Sequence, residues 1–383
     1  GRTLRDAGVR VAISVGALIT AVALFVALTI MVQSFRGTVE LWVSQSVSGD
    51  LFMRPRMAEI NQYREPLPEP LVATLQKLEP HVTLSPYRRL PLKMGKVPYQ
   101  LEAIDFERFT RHARFLMMSR ARGEIETALQ RGEGVIVSEV FSNQTGLEVG
   151  DIYRAWVRGV ELRLPILGVF RDYRTQGGLV HFSLQAYQQM TGDTAWSGAR
   201  LFTHGPTADR GEEAVRLRRD ILDFCSQNGL AVDVTLGEDL RNAILRLFDE
   251  TFAVTSVLLL IALVVAALGI TTTLTVLVLE RRRHLQTLLA VGASRGQLRA
   301  MILWEALLMI LTGEAVGLGC GFLLSALLIF VINRHSFGWT FLYHVDWVSL
   351  LAACPLILAT ALVAALPACR LIFKQTPARA LRE

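Results

Sequence analysis

Hydrophobic positions along this chain fall into two regimes. Four stretches are apolar and free of ionisable residues over most of their length. They are residues 11–32, inside the uncharged run from Arg10 to Arg36; residues 251–279; residues 301–333, where Trp304–Gly313 leads into Ala315–Asn333; and residues 347–369. Each reaches the roughly 18 to 20 residues that a spanning helix needs. One such stretch could be the buried helix of a soluble protein, whereas four predict membrane integration. The first is too long for the roughly 7–15-residue apolar core of a signal peptide, and no small-residue cleavage motif follows it.

Residues 33–250 follow the other regime, with charges throughout and turn residues at short intervals. Pro66-Leu-Pro-Glu-Pro70 reads as a stiff connector, followed by a helix over 71–78. Strands are predicted over 99–104, 134–138, 153–157, 161–170, 180–183, 200–204 and 231–236, from alternation and β-branched content. Helices are predicted over 139–145 and 186–191, an irregular helical segment over 107–122, and a strong amphipathic helix over 208–228. The expected fold is thus four transmembrane α-helices with a large α+β extracytoplasmic domain between the first and second, plausibly in two subdomains.

A mechanical feature closes that domain. Thr235-x-x-Glu238 has the pattern of a capping box. From Glu238 no proline occurs until well past Arg283, and the first glycine is Gly269. One helix is therefore expected to start outside and continue through residues 251–279 as a stalk. At 1.5 Å per residue its roughly 45 residues would extend about 65 Å.

Charge sets the orientation. The flank 1–10, the loop 280–300 and the tail 370–383 hold twelve basic residues against only Asp6, Glu280 and Glu383. By the positive-inside rule these three segments face the cytoplasm. The chain's net charge of +6 is thereby a topology signal, because everything outside those segments is slightly acidic. No nucleic-acid partner is implied. The predicted location is a bacterial cytoplasmic (inner) membrane, multi-pass, with residues 33–250 outside and a short outer loop over 334–346.

The loop Glu280-Arg-Arg-Arg-His-Leu-Gln-Thr-Leu-Leu-Ala-Val-Gly-Ala-Ser294 is the most informative stretch. Leu285, Leu288, Leu289 and Val291 make a short apolar face on a basic segment. Gly292 is placed to end that helix and Ser294-x-x-Gln297 to cap the next. Such an amphipathic helix can lie on lipid or dock into a partner's groove, and residue chemistry leaves both open.

Glu280-Arg281-Arg282-Arg283, Leu289-Ala290-Val291-Gly292-Ala293-Ser294, Gln297, Glu305 and the terminal Thr376-Pro-Ala-Arg-Ala-Leu-Arg382 resemble the FtsX-like permease family of ABC transporters, of the MacB, LolC and LolE type. The order of one span, a large outer domain and three spans is also that family's. Ser34-Phe35-Arg36, Ser48-Gly-Asp-Leu-Phe52, Phe170-Arg-Asp-Tyr173 and Ile329-Phe-Val-Ile-Asn-Arg-His-Ser-Phe-Gly-Trp-Thr340 look like the carboxyl-terminal half of a ten-span permease. The first residue, Gly1, fits a chain that is part of such a protein or a split product.

What the resemblance implies is a coupling helix, with Arg283, Leu285, Leu288, Leu289, Val291, Gly292, Ala293 and Ser294 seated in an ABC ATPase. ATP hydrolysis there would move the outer domain for transport or extraction of a lipid, lipoprotein or other amphiphile. The alternative is a non-transporting signal transducer that activates an extracytoplasmic partner such as a cell-wall hydrolase. No GxxxxGK[ST] occurs, so this chain is not expected to be an enzyme or to bind a cofactor. ATP and Mg would sit on an ABC ATPase dimer. Further expected partners are the first half of the permease or a second copy, the lipid bilayer, and a periplasmic protein.

Other candidates have plainer readings. Gly313, Gly317 and Gly321 share one helix face and permit close helix packing, within this chain or between subunits. Glu305 is placed to pair with Arg281 at the membrane edge, and Glu314 reads as a packing or ion-pair residue rather than a proton relay. Phe337, Trp339, Phe341, Tyr343 and Trp347 read as an interfacial aromatic belt. His335, His344 and Asp346 match no metal-site spacing. Ser138, Asp172 and His181 lack any nucleophile motif, so no catalytic triad is expected.

Overall fold

The computed structural model describes residues 2–79, 81–119, 122–173, 178–204, 210–280, 287–288, 291–348, 350–351, 355 and 359. The chain divides into two compact units. A helical unit holds Gly1–Gly37, Asp249–Ile332 and Phe341–Glu383; a sheet unit holds Thr38–Phe248 and Asn333–Thr340.

In the helical unit, α1 (Arg2–Ser46) begins the chain and continues past the unit's edge at Gly37. The helix α8 (Gly237–Glu280) begins in the sheet unit and continues into the helical unit as one unbroken 44-residue element. The helix α9 (Arg295–Leu327) is followed by a π-helical segment, Leu328–Asn333. Among the described residues, Leu18–Gln45 and Ile310–Phe337 are long and apolar enough to cross a bilayer. Residues 251–279 are helical as part of α8, whereas most of the expected span 347–369 lies outside the described residues.

The sheet unit is built on β1 (Leu51–Pro55), β2 (Val82–Met94), β3 (Val97–Ile104), β4 (Leu116–Met117), β5 (Val135–Ser138), β6 (Ile152–Val157), β7 (Val160–Arg171), β8 (Leu179–Ser183), β9 (Gly198–Thr203) and β10 (Val232–Leu236). Their order is β10-β1-β9-β2-β3-β8-β5-β7-β4, with β6 hairpinned onto β7. The pairs β3–β8 and β5–β7 are parallel, so the sheet is mixed. Helices α2 (Glu69–Lys77) and α7 (Arg210–Gln227) bury Leu71, Leu75, Ile221 and Cys225 against one end of it. Helices α5 (Glu139–Thr145) and α6 (Leu184–Thr191) bury Phe141, Leu184 and Tyr187 against the other. A third buried cluster, with Tyr87, Ile104, Phe106, Phe109 and Phe170, completes the packing of this α+β unit.

Three local readings are corrected. Residues 107–122 do not form one helical segment. The helix α3 (Phe106–His112) stops at Ala113, whose backbone is extended, and Leu116–Met117 then pair with β7 before α4 (Arg122–Gln130) begins. The capping box at Thr235 does not form, because Thr235 is a strand residue paired with Phe52. Strand β2 was masked in the sequence by Pro86 and Pro91. It pairs with β9 only up to Tyr87 and with β3 only from Tyr87, so each half has one open edge that tolerates a missing N–H.

Strands β2, β3 and β9 are cross-linked by charge. Glu102 is fully buried; its Oε2 accepts from Arg89 Nε at 2.8 Å and its Oε1 from Arg200 Nη2 at 2.8 Å. The two guanidiniums are held against aromatic faces, Arg89 at 4.5 Å from the Tyr63 ring and Arg200 at 4.9 Å from that of Phe109. The negative carboxylate drives the Arg89 pKa far above its ordinary value although burial opposes it.

The segment Asn333–Thr340 docks on α5. Glu139 accepts the Thr340 N–H at 3.0 Å and the Thr340 hydroxyl at 2.7 Å. Asn143 donates to the Gly338 carbonyl at 2.7 Å, and the Tyr173 hydroxyl donates to the Thr340 carbonyl at 3.0 Å. The Trp339 ring meets Tyr173 edge-on at 5.1 Å. Trp339 is therefore a docking residue rather than part of an aromatic belt. Phe341 is also buried, packed on Phe35 at 4.6 Å inside the helical unit. Phe337, Tyr343 and Trp347 keep substantial exposure.

Two outcomes follow from these buried carboxylates. Replacing Glu102 by Gln leaves two buried arginines without their counter-charge, at a cost of about 3–5 kcal/mol. Chemical denaturation of the full chain, followed by near-UV dichroism, measures that loss. Burial raises the Glu139 pKa above 4.5, against the Thr340 hydrogen bonds and the Arg171 charge, which act the other way. The folded state then holds this proton more tightly than the unfolded state. Its stabilisation is full below the ordinary glutamate range and is lost as pH rises through the raised pKa. The melting temperature should fall with rising pH over that window, and Glu139→Gln should flatten this component.

Candidate functional site

The turn ahead of α9 is organised by two residues. The Val291 N–H donates to the Thr287 carbonyl at 3.0 Å, and the Ala293 N–H reaches back to the Leu288 carbonyl at 2.9 Å. Between them Gly292 has φ of +107°, a conformation that glycine adopts without the strain of a β-carbon. The six-residue return bond with glycine at this position is the Schellman ending of a helix. One residue on, Ser294 opens α9 with a complete capping box. Its Oγ accepts the Gln297 N–H at 3.2 Å, and the Ser294 N–H donates to Gln297 Oε1 at 2.8 Å.

The turn presents Val291 outward, 82% exposed, with Leu288 half-buried behind it. Arg283, Leu285 and Leu289 lie outside the described residues, so the whole apolar face is not on view. Arg281 and the side chain of Glu305 lie outside them too, and with them the expected ion pair.

The glycines of α9 have a specific neighbour. A β-carbon on Gly313 would lie 2.6 Å from Leu18, one on Gly317 2.7 Å from Val22, and one on Gly321 2.6 Å from Val26. All three distances are below any real carbon contact, so α1 and α9 approach closely because these positions carry no side chain. Val22 and Val26 are almost fully buried there, and Glu314 is buried as well. This glycine face is occupied within the chain.

The start of the outer segment is tied down in the same unit. The Ser34 hydroxyl donates to the His344 carbonyl at 2.9 Å and accepts its N–H at 3.0 Å. Arg36 faces Asp249 at 3.7 Å. The Ser34-Phe35-Arg36 motif thus anchors α1, with Phe35 on Phe341. This role was invisible in the sequence, since both partners lie more than 200 residues away.

Residues that might suggest catalysis serve structure. Ser138 Oγ accepts from the N–H groups of Phe141 at 3.3 Å and Leu179 at 2.8 Å, capping α5. The His181 ring sits between Phe115 and Phe170, each at 5.0 Å. Among the described residues no three His, Cys, Asp or Glu side chains gather into a metal-binding group.

The chain is 27% identical over 401 residues to an uncharacterized ABC transporter permease protein of Mycobacterium tuberculosis. That alignment covers 98% of the chain and 43% of the relative, so the chain spans less than half the relative's length. Among solved structures, it is similar to the extracellular domain of the noncanonic ABC-type transporter YknZ from Gram-positive bacteria. Identity there is 16%, over 49% of this chain and 98% of that one, with a TM-score of 0.31. It is also similar to the periplasmic region of MacB from Actinobacillus actinomycetemcomitans, with 10% identity, 51% and 91% coverage and a TM-score of 0.31. Residues 256–377 match the FtsX-like permease C-terminal family. Over that stretch, from the latter part of α8 onward, the chain is similar to FtsX-like permease C-terminal domains, and the relative it resembles over nearly its whole length bears the description of an ABC transporter permease.

Proposed function

We propose that the chain is a transmembrane permease subunit or half-permease that couples ATP hydrolysis by a separate ABC ATPase to movement of the sheet unit. Its cargo class would be a lipid, lipoprotein or other amphiphile, handled at a bacterial inner membrane with the sheet unit outside. The observation that supports this most is the closed turn at Thr287–Gln297, inside the segment that matches the permease family. A turn fixed by a glycine terminator and a capping box transmits force, where a loose loop would absorb it.

In this reading the coupling helix, with half-buried Leu288 and exposed Val291 on its apolar face, seats in a groove of the ATPase. Closure of the ATPase dimer around Mg-ATP displaces that helix, and the two helices next to it in sequence carry the displacement. One is α8, whose 44 residues lead from the loop to β10 without a break. The other is α9, packed on α1 through its glycines. The chain itself needs no cofactor for this, because it supplies levers and the partner supplies the free energy.

The experiment is co-purification of the chain with its cognate ATPase from membranes. Leu288→Glu puts a charge in the apolar contact, and Gly292→Glu adds a charge and strains the turn. Each should reduce recovery of the ATPase by about tenfold or more, as loss of a central apolar anchor does. Undiminished recovery with both variants would remove the coupling assignment.

A further inference from the structure

The sheet unit carries a groove of about 990 Å³, at the upper end of the range for ligand pockets. Residues 91–95 of the β2–β3 hairpin line one part of it, residues 154–156 of β6 another, and Tyr99 with Gln100 a third. We propose that this groove docks an extended, acidic segment of a partner protein, which adds to the open edge of β6 as a further strand. The site is independent of the coupling reading above; only the partner's compartment, outside the cytoplasm, rests on it.

Charge selects the ligand. Arg64, Lys93 and Arg154 line the groove, and no carboxylate does. None of the three makes an ion pair among the described residues. Arg154 also stands directly across from Arg163 on the exposed face of the β6–β7 hairpin, and like charges so placed repel. The acidic residue on that face is Glu161, which lies opposite Trp156 and outside the groove lining. An anion bound beside Arg154 relieves the repulsion.

An open strand edge makes that ligand a peptide. Strand β6 pairs with β7 alone, and no backbone hydrogen bond is made on its other edge among the described residues. Successive side chains of a strand point to opposite faces, yet Arg154, Ala155 and Trp156 all line the groove. The groove therefore meets β6 along its edge. N–H and C=O groups at the strand repeat match another polypeptide backbone, whereas an anionic glycan or lipid has no such repeat. The Gln100 Oε1 in the same groove is buried and accepts no hydrogen bond among the described residues, so a ligand N–H satisfies it.

Trp156 supplies the grip. Its side chain is 70% exposed, a large apolar surface that folding leaves in water. Tryptophan and arginine are the residues that dominate binding energy at protein interfaces. Exposed ion pairs each contribute little, so the cations choose an acidic partner while the indole and the main chain hold it. Prolines and lysines also guard strand edges against stray pairing, and Pro91 and Lys93 fit that use. An exposed tryptophan beside an open edge works against such protection and calls for recognition instead.

The test selects a displayed library of random dodecapeptides on the full chain in phosphatidylcholine nanodiscs, with empty nanodiscs as background. Selected peptides should be enriched in aspartate and glutamate by about threefold or more over the input. The most enriched peptide, labelled with fluorescein, is then titrated by anisotropy. Its version with amides in place of carboxylates should bind about tenfold more weakly. Trp156→Ala should cost the acidic peptide about tenfold in affinity, and Lys93→Gln with Arg154→Gln a similar factor. All three positions are exposed, so these variants keep the fold, which near-UV dichroism checks. N-methylation of alternate peptide nitrogens should abolish binding in one register and spare it in the other, as strand addition requires. No enrichment over empty nanodiscs, enrichment without acidic bias, affinity indifferent to the variants, binding spared in both methylation registers, or tighter binding of a heparin tetrasaccharide than of the peptide would each overturn the proposal. ATPase recovery on the same preparations is read separately: if acidic selection fails while Leu288→Glu still loses the ATPase, the groove alone is rejected.

Discussion

A single buried carboxylate organises the centre of the sheet unit. Glu102 on β3 holds Arg89 from the adjacent strand β2 and Arg200 from β9, ninety-eight positions away, so three strands share one ionic centre. Such a group is costly to bury and stays only where the geometry is well made. It also fixes what surrounds it. Tyr63 and Tyr87 stack on the arginines, and Tyr87 is the point where β2 exchanges its partner strand. The sheet is thereby rigid at the place where the two long helices enter the unit.

Satisfied hydrogen bonds recur at the ends of the connecting elements. Helix α8 contains no proline and leaves β10 directly, with Gly237 donating its N–H to the Asp50 carbonyl at 2.8 Å. Asn333–Thr340 belongs with the sheet unit, where the Thr340 N–H donates to Glu139 of α5 and the Thr340 carbonyl accepts from Tyr173. At the other end of α8, Gly292 and Ser294 close the turn into α9.

Much of this was legible before the structure. The uncharged runs, the strands over 153–157 and 161–170, the helix over 139–145 and the glycine–serine pair at 292 and 294 are local signals, set by periodicity, turn residues and caps. What escaped were non-local features. Strand β1 alternates too briefly to stand out, and β2 carries two prolines that only its staggered pairing excuses. Thr235 looked like a cap because its local pattern fits one, but the ladder to Phe52 claims it. Trp339 looked interfacial because composition cannot distinguish lipid from Tyr173 as the neighbour of an aromatic ring. The pairing of Glu102 with residues thirteen and ninety-eight positions away had no signature at all.

The central claim is that α8 transmits ATP-driven displacement from the loop to the sheet unit. Insertion of Gly-Gly-Pro after Glu250 would break the helix at that junction while leaving the loop and the sheet unit unchanged in sequence. With spin labels on the sheet unit and the assembled ATPase present, pulsed dipolar spectroscopy reads whether ATP still changes the distance between two copies or halves. The account predicts an ATP-dependent shift in the unaltered chain and its loss in the insertion variant, with ATPase recovery preserved. A shift of equal size in both would contradict it.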